Sequence, residues 1–137
     1  MSYAGDYRIK EGPAFTEDGI VMKPFAELIA AEEDEDEIAE LKKMEKTILR
    51  ITEDGKMINV MPIPEGTPQE EIDKAKAMGR VTDDNMVLLE ARNNVKFEDG
   101  NIYLSDPHKM LTGDEWVKLN TDVEGELNMV MYTYQKI

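Results

Sequence analysis

Short apolar runs of strand period alternate with acidic turns along most of this chain. Arg50-Ile51-Thr52 and Met57-Ile58-Asn59-Val60 flank Glu53-Asp54-Gly55, and the same Glu-Asp-Gly triplet recurs at 17–19 and 98–100. Asp-Gly between strand-like runs signals a hairpin, because glycine accepts the positive φ of a tight reversal. Its repetition predicts a mainly β chain, an up-and-down antiparallel sheet that curls into a small barrel. Strand-like runs fall at 3–10, 20–22, 47–52, 56–63, 86–91, 95–98, 101–104, 115–120 and 127–136. No βαβ alternation is visible, which argues against a parallel nucleotide-binding sheet.

Two stretches leave the strand period. Pro24 suits a helix first turn, and Phe25, Leu28 and Ile29 follow at helical spacing. After the acidic run Glu32 to Glu37, Ile38 and Leu41 continue the stripe toward Met44. The pattern predicts one broken helix, or two short ones, over 24–45. A second helix is expected over 68–78, where Thr67-Pro68-Gln69-Glu70 reads as a capping box and Gly79 as the stop. Both are insertions in an otherwise β chain.

Two strands are apolar on both faces. Met57, Met61 and Ile63 share one side of their run, with Ile58 and Val60 opposite. Leu127, Met129, Met131 and Thr133 share a side of the last run, opposite Val130, Tyr132 and Tyr134. Such strands meet the core on one side and another layer on the other. The ten methionines add thioethers that adapt to irregular cavities. They admit two readings, ordinary core filling and a lumen for an apolar ligand.

Composition narrows the function classes. At 137 residues the chain makes a single domain, 1–137, able to bury a core without staples. The absence of cysteine removes disulfides, thiol nucleophiles and cysteine metal sites. With no apolar run at Met1 to Asp6 and none of transmembrane length, the expectation is a cytoplasmic protein without membrane insertion. A net charge of −14 repels nucleic acid and anionic lipid. It leaves a basic protein as a partner, met by the acidic helical region Glu32 to Glu40.

The order of elements resembles the calycin group of small barrels, the lipocalins and intracellular fatty-acid-binding proteins. Gly5-Asp6-Tyr7 sits where those families place Gly-x-Trp, and the helical residues 24–45 follow the first strand as a lid does. The tail from Leu127 to Ile137 resembles their closing strand. The resemblance implies a calycin-like barrel that binds a small, largely apolar molecule. Tyr7 stands in place of the tryptophan, and Tyr132-Thr133-Tyr134 lacks the arginine of the family's Arg-x-Tyr carboxylate anchor. A buried carboxylate would therefore lack a charge partner, which disfavours fatty acid.

Candidate chemistry is sparse. Ser105-Asp106-Pro107-His108 holds three triad residue types, but adjacent residues in an Asp-Pro turn do not form a preorganised triad. One histidine gives no transition-metal spacing, and neither 83–85 nor 122–126 follows an EF-hand pattern. Glycines at phosphate-cradling spacing are missing, so no cofactor is expected. Arg8, Arg50 and Arg92 lie in strand-like runs, and Leu49 and Ile51 as core residues turn Arg50 outward. Trp116 is expected to pack at a barrel end. The reading is a non-enzymatic binder lined by Met57, Met61, Met129, Met131 and Tyr134, with Phe25 and Leu28 as lid contacts. The alternative is an acidic interaction domain with a filled core.

Overall fold

The computed structural model describes residues 3–129 and 131–137, and of 90–92 the backbone alone. Among these residues are nine strands and three helices, in a curled antiparallel half-barrel sheet. The strands are β1 (Gly5–Thr16), β2 (Gly19–Pro24), β3 (Ile48–Ile51), β4 (Lys56–Pro62), β5 (Met86–Glu98), β6 (Asn101–Ser105), β7 (Trp116–Lys118), β8 (Glu126–Met129) and β9 (Tyr132–Lys136). The helices are α1 (Phe25–Ala31), α2 (Glu35–Lys46) and α3 (Gln69–Ala77). The main path runs β7-β6-β5-β4-β3-β1-β9-β8, and β2 pairs β1 off that path. The outer strands of the path approach each other, with an Asn120–Leu127 bridge and a 2.7 Å hydrogen bond from Asn128 N–H to the Leu119 carbonyl.

The hairpins fall where the acidic turns predict them. Thr16 pairs with Gly19, Ile51 with Met57, and Glu98 with Asn101. At the last turn Asp99 and Gly100 both have positive φ, 52° and 79°, as a type I′ reversal requires. Gly55 alone is positive in its turn, at 87°, and the Thr52 N–H reaches the Lys56 carbonyl at 2.9 Å. That pattern is a type I turn closed by a left-handed residue. The expected strands at 86–91 and 95–98 are one continuous strand, β5, with pairing irregularities against β4 near Asn59.

The final run differs more. It is two strands: β8 and β9 form a hairpin in which Leu127 faces Tyr134 and Met129 faces Tyr132. Leu127 and Thr133 therefore do not share a strand face. Met131 lies in the connection, and Val130 lies outside the described residues.

One core fills a face of the sheet. Tyr7, Leu49, Ile51, Met57, Val95, Ile102, Leu104, Leu119 and Leu127 pack together, all buried. On the opposite face Ile48 pairs with Val60, and both are also buried. Val81 bridges Val87 of β5, and Gly79, Val81, Thr82 and Asp83 line a cleft with Ile58 and Leu88.

The helical insertion is two helices. Phe25 is buried at the start of α1, and Leu28 lies over Gly12 of β1. Asp34 caps α2 by accepting the Asp36 N–H at 2.9 Å. Ile38, Leu41 and Met44, one stripe of α2, are half-buried. In α3 the expected capping box does not form: the helix starts at Gln69, and the Thr67 hydroxyl donates to the Pro64 carbonyl at 2.7 Å. Gly79, at φ 73°, does end that helix.

Candidate functional site

One cleft lies between α2 and the strands. Glu40, Lys43 and Met44 of α2 form one wall, with Thr47 just beyond its end. Asn59 of β4, Leu89 of β5 and Tyr134 of β9 form the other, around about 290 Å³. Strand alternation puts Asn59 on the Met57 side of β4, the side of the core. Tyr134 packs against the edge of that core.

The polar groups of the cleft differ in how they are used. The Thr47 hydroxyl is spent on the Lys43 carbonyl at 2.8 Å, which tightens the end of α2. Among the described residues no group hydrogen-bonds the side chains of Asn59 or Tyr134. Burial, and then neighbouring Tyr132, push the Tyr134 hydroxyl above its ordinary pKa. It is therefore a neutral donor at physiological pH. An apolar wall of Met44, Leu89 and the Tyr134 ring, with an amide and a phenol beside it, suits a small molecule with an apolar body and a polar end.

The residues expected to line one lumen are dispersed. Met57 is buried within the core. Tyr134 lines the α2 cleft. Met129 borders a different cleft at the β7–β8 approach, with Leu104, Val117 and Leu119. Met61 lies in a third, with Arg8, Lys46 and Pro62. Met131 is half-buried in the β8–β9 connection, and Phe25 and Leu28 pack α1 onto the sheet. Sequence reasoning missed Asn59 and Leu89. The α2 stripe ending at Met44 was the one available signal for the helical wall.

The remaining candidates lie away from this cleft. Arg50 points outward: its guanidinium donates to Asp6 at 2.8 and 3.1 Å and to Asp84 at 3.1 and 2.7 Å. These bonds, with a further one from Thr82, hold the Asp84 carboxyl down at about 2. Asp106 accepts the Leu111 N–H at 2.8 Å and organises the loop after β6, while His108 is exposed. Trp116 lies on the edge strand β7 with the Lys96 ammonium 4.6 Å above its ring. Arg8 is exposed, and the side chain of Arg92 lies outside the described residues. Among the described residues no group of three His, Cys, Asp or Glu is placed to hold a metal ion. No helix among them is long and apolar enough to cross a membrane. Comparison with family models, curated proteins and solved structures finds no match for this chain.

Proposed function

We propose that this protein is a non-enzymatic, cytoplasmic binder of a small, largely apolar molecule, held between α2 and the sheet. The observation that carries the reading is the cleft of about 290 Å³ whose walls are Met44, Leu89 and Tyr134. The ligand's apolar body lies against those side chains, and its polar end meets the Asn59 amide and the Tyr134 hydroxyl. In this reading the ligand lies at the edge of the core, under the helix that resembles a lid. The calycin-like closed barrel belongs to the same proposal, supported by the Asn120–Leu127 bridge between the outermost strands of the path.

Native mass spectrometry of freshly purified protein tests it. A retained small molecule is expected on the wild type and is lost from Leu89→Trp, whose indole fills the cleft. A wild type with a clean apo mass that also ignores apolar fluorescent probes contradicts the proposal. The alternative, an acidic interaction domain, is favoured by a separate observation, the exposed apolar surface of β1 and β2.

A further inference from the structure

The hairpin of β1 and β2 extends beyond the sheet. β1 pairs with β9 only as far as Glu11, opposite Thr133. From Gly12 to Thr16, among the described residues, its only partner is β2, and β2 pairs with nothing but β1. The result is a two-stranded arm with free backbone edges. In its register Phe15 lies opposite Ile20, and Pro13 opposite Met22, so these four side chains share one face. Phe15 is 75% exposed, Ile20 55% and Met22 41%.

Large apolar groups grouped on an exposed face mark a contact surface more often than scattered ones do. The edge is also unguarded. Natural edge strands are blunted by lysine, proline or bulges, and in β2 those residues, Lys23 and Pro24, sit at the base. From Gly19 to Met22 the strand carries no lysine or proline and pairs with β1 without a bulge. Glu17 and Asp18 stand at the tip, and beyond the base come Glu27 of α1, Glu32, Glu33 and Asp34 of the link, and Glu35, Asp36 and Glu37 of α2. The apolar strip is bracketed by carboxylates at both ends.

We infer that this arm docks an extended, basic protein segment as an additional strand on β2. Its apolar side chains cover Phe15, Ile20 and Met22, and its lysines or arginines meet the bracketing carboxylates. Strand addition supplies backbone hydrogen bonds, and the alternating side chains supply selectivity. Charge decides among the occupants. A second copy would bring another −14 to the same place, and an anionic membrane would be repelled by the same carboxylates. A basic segment is attracted by both features. The inference is independent of the α2 cleft.

A short fluorescent peptide of alternating valine and lysine, titrated into the full chain by anisotropy, tests the inference. Binding is expected, weakened by salt, and reduced about tenfold or more in Phe15→Ser/Ile20→Thr, as at other apolar hot spots. Those positions are exposed and uncharged, so circular dichroism and net charge should stay as in the wild type. The matching valine–glutamate peptide should not bind. Equal binding by the double variant means attraction by charge alone and overturns the inference. So does a wild-type dimer that the double variant abolishes, or capture of the wild type by anionic vesicles through Phe15.

Discussion

Arg50 shows how a residue can be placed from its neighbours. Alternation between Leu49 and Ile51 turns it outward, and there it joins β1 to the turn before β5 by pairing Asp6 and Asp84. What the strand pattern did not contain was Asp84, which arrives from a distant turn. Asp84→Asn should lower stability by roughly 0.5–1 kcal/mol at neutral pH, since the pair is partly exposed. The native carboxyl lies below its ordinary value of 3.8, at about 2. Its contribution is therefore complete above the ordinary value and is lost as pH falls through the native one. Urea titrations of wild type and variant should converge over that window, and a constant difference would contradict the assignment.

Tyr7 makes the opposite case. Burial, with a smaller effect of Tyr3, pushes its hydroxyl up from 10.0 to about 12. The neutral phenol donates to the Tyr3 carbonyl at 2.7 Å. Its stabilisation is full below the ordinary value and is lost as pH rises through the native one. Tyr7→Phe should cost about 1 kcal/mol at neutral pH and flatten the alkaline loss, as read by thermal melting across that range.

At the scale of elements, the turns were legible and their chemistry only partly so. Three of them share a threonine that the repeated Glu-Asp-Gly does not include: Thr16 to Gly19, Thr52 to Gly55 and Thr82 to Asn85. The Thr52 and Thr82 hydroxyls each bond the aspartate two residues on and accept the N–H four residues on. Asn85 holds the left-handed position with φ 61°, where asparagine is tolerated. That turn was hidden because no glycine marks it. The β8–β9 reversal was hidden for a stronger reason, since Met129-Val130-Met131-Tyr132 carries no turn residue. The capping box failed because Pro68, not Thr67, holds the N-cap position, and proline has no side chain that can accept from the first turn.

Packing of α1 onto the sheet depends on Gly12. A Cβ there would lie 2.8 Å from Leu28 Cδ1 and 3.1 Å from the Tyr132 ring. Gly12→Ala should destabilise by about 1–3 kcal/mol through overpacking. Gly12→Ala/Leu28→Ala should recover part of that loss, because removing the isobutyl group makes room. Chemical denaturation of the two variants checks this, and no recovery would mean that Leu28 does not set the α1 contact.

For the whole molecule, strand period and turns were enough to indicate a curled antiparallel sheet with two helical insertions. They were not enough to locate a site. Alternation assigns residues to faces, but which distant residues meet is fixed by register, by the irregularities near Asn59 and by where α2 lies. Met57 and Tyr134, both expected to line one lumen, fall respectively within the core and at its edge, where Tyr134 borders the α2 cleft. The methionines allow that separation to be observed. Methyl NMR of selectively labelled methionine, during titration with the small molecule released from the native protein, tests the central claim most directly. The expected result is a shift of the Met44 methyl with Met57 unmoved. A shift of Met57 with Met44 unmoved would return the ligand to the lumen and contradict the site.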